Sequence, residues 1–588
     1  MPSTFFGLTI ASSGLNAANV ALNTTAHNVS NIETEGYSRQ QTKTEAADAL
    51  RVYSSYGMAG SGVAVTDIRQ VRDSYYDYKY WKNNSLTGEY NSKSYYMQQI
   101  EKLYFNEMTD SGFTIYYANF CNSLDSLSAT PSTIALRNQT IQAGQTLAEY
   151  FNNISENLTA YQDEANTQIK MTLDRINTIA ENVASLNNQI SILEMNGGYA
   201  NDLRDKRNVL VDELSSLAGV TVKETISPTG SSYYNIKINN QNLVYGNKYN
   251  TLQVTARESS EQRYDTDVHG LYEISWSNGQ SFDIYNDTLS GELKGYIDIR
   301  DGGNLETPNW PVDATGKKIG QSLEYKGVPY YMAQNNEFLA EYSRQFNTIH
   351  MSGEDLNGNS TAEVPFFTIK DMTVEDMKNK MVEEGRATIT ITDAANITDA
   401  QWADYINNYK ALNKGTAATD DEIKQAILED GYAVMTITDK AQINTDHIVN
   451  YISENITAAN ICVNPDLILH NEMMGTAATV KDGVETPDIA TQLAELRKQK
   501  TFRGGMAEEQ MQSLVSVSGI NSSAAQSMHT NYSNIGDAIV NQRLSVMGVD
   551  KEEEAIALVK YQHAYELASK VISVMNEIYD KLINQTGV

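Results

Sequence analysis

The chain has 588 residues, a formal net charge of -30 and a pI near 4.6. This length exceeds a single hydrophobic core, so we expect about three or four domains. The negative charge argues against nucleic-acid and anionic-membrane partners, because their phosphates would repel the chain, and no stretch of about twenty apolar residues is present to span a bilayer.

The N-terminal segment places apolar or small side chains at alternating steps of three and four residues, which is typical of a coiled-coil seam. This seam comprises Phe5, Leu8, Ser12, Leu15, Asn19, Leu22, Ala26 and Val29. The first basic residue is Arg39, so residues 1–38 lack the positively charged start of a secretory signal. We therefore predict an N-terminal helix in a protein that either stays in the cytoplasm or leaves by a route that reads no cleavable signal.

Aromatic side chains crowd the next part of the chain, residues 65–105. They include Tyr75, Tyr76, Tyr78, Tyr80, Trp81, Tyr95, Tyr96 and Tyr104. On a helix they would form a broad face, and tyrosines on such a face serve as anchors in protein–protein contacts more often than as platforms for carbohydrate.

A long helix is predicted over residues 132–196, which contain no proline and a single glycine. Thr130-Pro131 supplies an N-cap and a first helical residue, and Gly197-Gly198 supplies a stop. At 1.5 Å per residue, the rod would be roughly 95 Å long. A leucine-rich return helix follows over residues 203–217 and should end at Gly219.

The middle of the chain is predicted to be irregular or β-rich, because nearly all prolines lie within residues 228–487. Leu271–Trp276 and Phe282–Tyr285 flank Asn278-Gly279, which is a strong signal for a tight hairpin. A helical segment returns at about residues 331–349.

Residues 375–406 and 421–452 repeat one another at a constant offset of 46 residues. Thr390-Ile391-Thr392-Asp393 in the first copy recurs as Thr436-Ile437-Thr438-Asp439 in the second. Each copy indicates a helix, a glycine stop, a short strand, a turn and a second helix, and Thr398 with Gln401 forms a capping-box pattern. We predict a small duplicated surface domain.

The last forty residues carry a second coiled-coil seam, formed by Tyr561, Ala564, Ala568, Val571, Met575, Ile578 and Leu582. Asp550, three residues before Glu553, is expected to cap this helix. Isolated amphipathic helices are marginal in water, so each chain end should be poorly ordered until another helix covers its seam. The alternative is that both ends dock on the chain's own core.

These elements predict a multidomain fold in which both chain ends form an all-α coiled-coil and helical-bundle core, with inserted β-rich and small α+β domains. The expected division is residues 1–36 with 550–588 as the terminal coiled coil, 37–226 with 488–549 as the helical bundle, 227–370 with 461–487 as the β-rich outer domain, and 371–460 as the duplicated insert.

No catalytic, cofactor or metal site is expected, and the protein is predicted not to be an enzyme. The seven histidines are dispersed, and the common zinc, redox, nucleotide and hydrolase motifs do not occur. Cys121 and Cys462 lie far apart without nearby ligands and are predicted to be small hydrophobic residues. Residues 354–358 mimic part of a calcium loop, but Gly353 stands where the first aspartate ligand is required, so a tight turn is predicted instead.

Four stretches of the sequence carry a family resemblance. The first runs from Ser13–Ala18 through Asn28–Asn31 to Thr34-Glu35-Gly36-Tyr37-Ser38-Arg39-Gln40, and the second is Asn201–Arg207 with Leu210–Leu214. The third is Phe346–Phe367 with His350 and Asn357-Gly358, and the fourth is Asn541–Asp550 followed by Tyr561–Tyr565. Together they resemble the bacterial flagellar rod, hook and hook-associated proteins, most of all the hook-associated members. Met547 and the duplicated insert depart from the family pattern.

The resemblance implies a structural protein. Members of this family line an axial tube with their paired terminal helices, surround it with a helical bundle and carry β-rich domains outside. They leave the cell unfolded through the flagellar type III export apparatus, and a dedicated export chaperone holds the C-terminal helix. The implied partners are further copies of the chain in a ring or helical layer, the flagellar hook protein and the next hook-associated protein, at the extracellular hook–filament junction.

Three alternatives stay open at this stage. A hook or distal-rod subunit would share the N-terminal motif but should lack the motifs at Arg207 and Asn357-Gly358. An insert with binding or enzymatic activity would need Trp402 and Tyr405 exposed together. A secreted coiled-coil effector need not carry the Gly36-Tyr37 signature.

Overall fold

The computed structural model describes residues 6–51, 58–105, 112–195, 197–226, 232–258, 262–304, 323–386, 388–391, 419–429, 433–436, 440–481 and 484–585, together with residues 399, 402, 403 and 406. The helices are α1 Phe6–Ser30, α2 Ser74–Phe105, α3 Phe113–Ala129, α4 Ile134–Glu194, α5 Asn201–Leu217, α6 Glu292–Asp301, α7 Val328–His350, α8 Val374–Glu383, α9 Asp420–Glu429, α10 Thr445–Asn455, α11 Pro465–Leu469, α12 Asp488–Glu495, α13 Ala507–Met547 and α14 Lys551–Asp580. Within these ranges, no helix is long and apolar enough to cross a membrane.

The strands are short and antiparallel. They are β1 Gln40–Ala46, β2 Leu50–Arg51, β3 Met58–Ala59, β4 Val63–Gln70, β5 Val220–Ile226, β6 Ser232–Ile238, β7 Gln241–Tyr245, β8 Lys248–Tyr249, β9 Leu252–Ala256, β10 Tyr272–Trp276, β11 Phe367–Ile369, β12 Thr388–Ile391, β13 Ala433–Thr436, β14 Ile461–Val463, β15 Val480–Lys481 and β16 Val484–Glu485. Strands β5 to β8 form a four-stranded sheet, and the other strands pair two by two.

The long helix α4 is present as the sequence predicts, with 61 residues and a length of roughly 92 Å. Its N-cap is Thr133, however, and not Thr130. The buried Arg137 side chain donates a hydrogen bond from Nε to the carbonyl of Pro131 at 2.8 Å, which holds residues 130–133 in a turn ahead of the helix. The stop is confirmed, since Gly197 adopts a φ of +81° just after the helix.

Two hydrophobic cores lie along α4. Its first half packs with α3 and α7 in an aromatic core that includes Phe113, Phe151 and Phe338. Its second half contributes residues such as Ile179 to a second core beneath the sheet β5–β8. Because one helix belongs to both cores, α4 joins them as a continuous rod.

The aromatic residues of α2 divide between the interior and the surface. Trp81, Tyr96 and Tyr104 are buried, whereas Tyr75 and Tyr95 are exposed. The broad aromatic face predicted for this helix is therefore partly buried inside the bundle, where α13 packs against α2.

The predicted hairpin around Asn278-Gly279 is only partly formed. Gly279 adopts the positive φ of a tight turn, but residues 282–285 form no strand. An isolated bridge joins Ser275 to Ser281, and the chain then turns where Asp283 Oδ1 accepts a hydrogen bond from the Tyr285 N–H at 3.0 Å.

The two copies of the repeat pair with each other through β12 and β13. Ile389 lies directly opposite Met435, its counterpart at an offset of 46 residues, so a local pseudo-two-fold axis passes through this pair. The helix caps repeat as well, with Thr373 capping α8 and Thr419 capping α9. The predicted cap at Thr398 and Gln401 lies outside the described residues.

Trp402, the residue on which a binding activity of the insert would depend, is only 8% exposed. The Lys424 ammonium lies over its ring, 5.7 Å from the ring centroid. Tyr405 lies outside the described part of the chain. A buried Trp402 does not fit the exposed pair that a binding activity would need. The second copy of the repeat packs on the body through a contact between α10 and α7.

The turn after α7 is built by local polar contacts, as predicted. Asp355 Oδ1 accepts hydrogen bonds from the backbone N–H groups of Asn357 and Asn359, both at 2.8 Å. Asn347 Oδ1 accepts from the backbone N–H groups of Phe366 and Phe367 at 2.9 and 3.0 Å. This stretch thus ties α7 to β11 and shapes the first core.

His350 predicts a pH-dependent contribution to stability. Burial lowers the pKa of its ring to about 4, and its Nε2 accepts a hydrogen bond from the Gly475 N–H at 3.0 Å. The unfolded chain, with a histidine pKa near 6.5, binds more protons between about pH 6.5 and 4, so the free energy of unfolding falls as the pH falls through that window. We expect the stability difference between the parent and His350→Gln, measured by urea unfolding, to shrink by about 3 kcal/mol from pH 7 to 4.

The control for this measurement is His470→Gln, whose parent side chain is 60% exposed. Its unfolding free energy should follow that of the parent at every pH. Parallel curves for His350→Gln and the parent would show that His350 does not titrate in this way.

Candidate functional site: the base of the terminal helices

The two chain ends pair with each other as an antiparallel helix pair, α1 with α14. At one end, Asn28 Nδ2 donates a hydrogen bond to Glu554 Oε2 at 3.1 Å. At the other, Gly7 lies so close to Met575 that an added Cβ would stand 1.9 Å from its Cε. The buried residues of α1 are small or polar, namely Ala11, Ala18, Ala21, Thr24, Thr25 and Asn28. Small side chains let the two helices approach closely.

The predicted seam residues lie beside this contact face or form part of it. In α1, Leu8, Leu15 and Leu22 are half-buried and Val29 is 42% exposed, while Phe5 lies outside the described residues. In α14 and the turn that follows it, Tyr561, Ala568 and Met575 are half-buried, whereas Ala564, Val571, Ile578 and Leu582 are exposed. The leucines of α1 and the branched residues of α14 therefore leave apolar surface on the outside of the pair.

The predicted start of α14 is confirmed at Asp550, whose Oδ1 accepts hydrogen bonds from the N–H groups of Glu552 and Glu553 at 2.8 and 3.1 Å. The Glu553 carboxylate pairs with Arg39 at 3.0 Å. Glu553 thus ties the first turn of α14 to the segment after α1.

Arg39 is the centre of a joint between the terminal helices and the helical body. Its Nε donates to the buried Glu554 carboxylate at 2.7 Å, and its backbone N–H donates to the carbonyl of Met547, the last residue of α13, at 2.8 Å. Its own carbonyl accepts from the Val71 N–H at 2.7 Å. One residue therefore contacts α13, α14 and the end of β4.

The residues on either side of Arg39 extend the joint to α1 and α5. Ser38 Oγ donates to Asp205 Oδ1 at 2.7 Å, and the Gln40 N–H donates to Asn28 Oδ1 at 2.9 Å. Tyr37 also donates its hydroxyl to Asn28 Oδ1, at 2.8 Å, and burial raises the pKa of that phenol. Burial raises the pKa of the Asp205 carboxyl too, against the opposing effect of the Ser38 hydrogen bonds.

A second layer of buried charges fastens α13 to α2 and α5. Arg543 donates from Nε to Asp77 at 2.8 Å, and its two terminal nitrogens donate to Asp212 at 2.7 and 3.1 Å. Trp81 Nε1 donates to the same Asp212 carboxylate at 2.6 Å. Burial raises the pKa of Asp212, and the Arg543 charge opposes that rise.

Gly36 shapes the turn that leads into this joint. Its φ is +74°, and an added Cβ would lie 2.1 Å from Val209 Cγ2 of α5. Both conditions favour glycine at this position.

A cleft of about 700 Å³ opens beside the joint, between the end of α1, the C-terminal part of α4 and α5. His27, Glu35, Tyr37, Asp202, Asp205 and Lys206 line it together with residues of α4. Among the described residues, no group of three or more histidine, cysteine or acidic side chains could hold a metal ion. The arrangement supports mechanical coupling through hydrogen bonds and ion pairs.

Three of the four sequence stretches that carry the family resemblance meet at this joint. Sequence reasoning singled out Gly36–Gln40, Asn201–Leu214 and Asn541–Glu553 but could not show that they contact one another. It missed Arg72 and Asp77, which bind each other at 2.7 Å and complete the charge layer. An aspartate on the first turn of an otherwise aromatic helix was the signal available for Asp77.

Comparison with known proteins gives matches along the whole chain. The family described as "Flagellar hook-associated protein FlgK helical domain" matches residues 97–367. "Flagellar basal body rod FlgEFG protein C-terminal" matches residues 540–585, and "Flagella basal body rod protein" matches residues 8–37. The two end matches coincide with the terminal helices and the joint.

Full-length relatives agree with these family matches. Flagellar hook-associated protein 1 of Bacillus subtilis (strain 168) is 26% identical over 611 aligned residues, covering 100% of this chain and 99% of the relative. Flagellar hook-associated protein 1 of Escherichia coli (strain K12) is 26% identical over 589, covering 98% of each.

A solved structure shares the fold. It is the flagellar hook junction protein FlgK from Burkholderia pseudomallei, with a TM-score of 0.51, 13% identity, and coverage of 81% of this chain and 100% of that one. Through the family matches at both ends and in the body, and through relatives matched over their full length, this chain is similar to flagellar hook-associated protein 1 from end to end.

Proposed function

We propose that this chain is a structural adaptor of the bacterial flagellum that forms the junction layer between hook and filament by assembly of its terminal helices. The observation that carries the proposal is the joint around Arg39, where the stretches shared with axial proteins fix the α1–α14 pair to the helical body. An adaptor between two tubes needs such a joint, because forces on the terminal helices must pass into the body.

The expected partners follow from the family. They are further copies of the chain in a ring or helical layer, the flagellar hook protein on one side and the next hook-associated protein on the other. An export chaperone on α14 suits the apolar surface that this helix exposes before assembly. Transport would proceed through the type III export apparatus to the outside of the cell.

The proposed division of labour places residues 1–36 and 550–588 in the axial core and residues 37–226 and 488–549 in the surrounding bundle. Residues 227–370 and 461–487 would form the β-rich outer domain, apart from α7, which packs in the first core, and the duplicated insert 371–460 would lie on the outer surface. Two observations support this division. The α1–α14 pair contacts the body near Arg39. The sheet β5–β8 packs on α4, and the second copy of the repeat packs on α7.

The outer stripe of α14 is proposed to contact neighbouring subunits. It consists of Leu567, Val571, Val574, Ile578 and Leu582, which recur at steps of three or four residues and are all exposed. Together with Leu8, Leu15, Leu22 and Val29 of α1, this stripe supplies the self-assembly seam that remains once α1 and α14 have paired. Burying each such side chain contributes roughly 1.5–3 kcal/mol.

Charged residues in this stripe should therefore block assembly. We expect Val571→Asp with Ile578→Asp to leave the monomer folded but to reduce attached filaments by about tenfold or more, since buried carboxylates in the seam are costly. The measurement is filament counting by electron microscopy in a strain that carries only the variant.

The matched control is Gln562→Asp with Ser573→Asp, which adds the same charges to exposed polar positions of the same helix. Filament counts for this control should equal those of the parent. Normal filaments with the stripe variant would rule out the stripe as a subunit contact.

A further inference from the structure

The sheet β5–β8 has one face on the core and one face in solvent. Val222, Tyr234, Ile236 and Val244 point inward to the second core beneath α4. Side chains alternate along a strand, so the residues between them form the outer face. This outer face is defined by Thr221, Lys223, Tyr233, Asn235, Lys237, Asn242, Tyr245 and Lys248.

The strand register sets these side chains in rows across the sheet. Lys223 lies opposite Asn235, Asn235 lies opposite Tyr245, and Tyr245 lies opposite Lys248. A neighbouring row places Thr221 opposite Lys237. Lysines and tyrosines are thus interleaved on one face of the sheet.

The outer face is positively charged in a chain whose net charge is -30. Lys223, Lys237 and Lys248 are exposed, and within the described ranges none of them has a carboxylate within 4 Å. The carboxylate of Glu224 belongs to the inner side of β5, where it pairs with Arg204 at 3.0 Å. A local positive patch on an acidic protein selects for an anionic ligand.

Exposed tyrosines alone fit protein contacts as well as sugars, so the lysines and amides around them decide in favour of a sugar polymer. Tyr233 and Tyr245 are 46% and 57% exposed, and their rings offer flat apolar surfaces of the size of a pyranose ring. Asn242 and Thr221 offer an amide and a hydroxyl group that can bond sugar hydroxyls, and Asn235, whose Oδ1 accepts from the Gly246 N–H at 3.1 Å, offers its amide nitrogen. The face presents no exposed aliphatic side chain, and lysine is depleted at the centres of protein–protein interfaces.

We propose that the outer face of β5–β8 is a binding site for an acidic polysaccharide, whose carboxylates pair with Lys223, Lys237 and Lys248 and whose sugar rings stack on Tyr233 and Tyr245. The site lies away from the terminal helices and does not depend on the junction function.

The test uses the full-length monomer and three soluble polymers. Polygalacturonate is the acidic polysaccharide probe, pullulan is the neutral one, and poly-L-glutamate carries the same charge without sugar rings. At low salt, we expect binding to polygalacturonate that is at least about tenfold tighter than to either of the others. The affinity should fall with increasing salt, because the lysine contacts are exposed.

Variants locate the site. Lys223→Glu with Lys237→Glu and Lys248→Glu should weaken polygalacturonate binding by about tenfold or more. The matched control, Lys370→Glu with Lys498→Glu and Lys500→Glu, makes the same change in net charge at exposed lysines elsewhere and should stay within about threefold of the parent. Circular dichroism checks that all variants are folded.

The tyrosines separate the polysaccharide from an acidic protein partner. Tyr233→Ala with Tyr245→Ala should weaken polygalacturonate binding by about tenfold and leave any poly-L-glutamate binding within about twofold. Equal affinity for the two acidic polymers, or no effect of the tyrosine variant, would overturn the proposal in favour of an acidic protein segment. Absence of binding to polygalacturonate, or equal losses in both lysine variants, would overturn it altogether.

Discussion

Replacing Arg543 with alanine is expected to lower the free energy of unfolding by about 3–5 kcal/mol. Arg543 neutralises two carboxylates, Asp77 and Asp212, in a place where all three side chains are largely shielded from water. Its removal leaves the shielded Asp212 carboxylate with the Trp81 N–H but without its ion-pair partner, whereas Asp77 keeps its pair with Arg72. Because Arg543 lies near the end of α13, the loss falls on the region that carries the terminal helices.

The measurement is urea unfolding followed by circular dichroism, with Arg175→Ala as the matched control. Arg175 pairs with Glu213 at an exposed site, where such a pair contributes about 1 kcal/mol or less. A loss for Arg543→Ala no larger than that of the control would contradict a structural role for the buried pairs.

The pH dependence of the same variant gives a second check. In the parent, burial raises the pKa of Asp212 and Arg543 opposes the rise. Without Arg543, the folded-state pKa rises further above the unfolded value near 3.9, so the folded variant binds more protons. The stability deficit of Arg543→Ala should therefore shrink as the pH is lowered from 7 towards 4, and a constant deficit would show that Asp212 does not titrate.

Gly36→Ala is the second substitution with a large expected effect, a loss of about 2–4 kcal/mol. Part of the loss comes from the positive φ of Gly36, and part from the contact of the new methyl group with Val209. Since Gly36 leads into Tyr37–Gln40, displacement of this turn should also disturb the joint.

Two controls separate these contributions. Gly197 has a similar φ of +81° but nothing within 4 Å of an added Cβ, so Gly197→Ala should show only the backbone cost of about 1–2 kcal/mol. Adding Val209→Ala to Gly36→Ala should recover part of the remaining loss. Equal losses of unfolding free energy for Gly36→Ala and Gly197→Ala would show that Val209 moves away from the new methyl group without lowering the stability.

Periodicity and proline content were enough to predict the long helices. Helix α4, the return helix α5, α7 and the start of α14 at Asp550 are confirmed. These elements are stabilised mainly by local hydrogen bonds and by an amphipathic pattern, both of which depend on residues that are close in sequence. The cap at Thr130 and the strand at 282–285 were wrong because side-chain hydrogen bonds form turns there, from Arg137 to the Pro131 carbonyl and from the Tyr285 N–H to Asp283.

The terminal pairing shows a different limit. The heptad pattern identified Leu8, Leu15 and Leu22 as a seam, yet these leucines are only half-buried, and the buried residues of α1 are small or polar ones such as Ala11 and Ala18. Helix α1 carries two stripes of apolar or small residues, and its sequence does not show which of them contacts α14. The assignment of the leucine stripe to contacts between copies stays a prediction.

The sequence identified the stretches that form the joint, but it could not show which of their residues contact one another. The motif Gly36–Gln40 stands out, but Arg39 meets Glu554 across 515 residues and Arg543 meets Asp77 across 466. No local pattern encodes such pairings, because they depend on how α2, α5 and α13 pack. Buried ion pairs also leave no periodic trace in the helices that carry them.

The most direct test of the junction function is filament attachment in a strain that lacks this chain, complemented either with the full chain or with a version that lacks residues 550–588. The account predicts attached filaments and motility with the full chain, and bare hooks with flagellin shed into the medium when the truncated version is supplied. Attached filaments in the uncomplemented deletion strain would contradict the assignment to the hook–filament junction, and attached filaments with the truncated version would contradict the role of α14 in assembly.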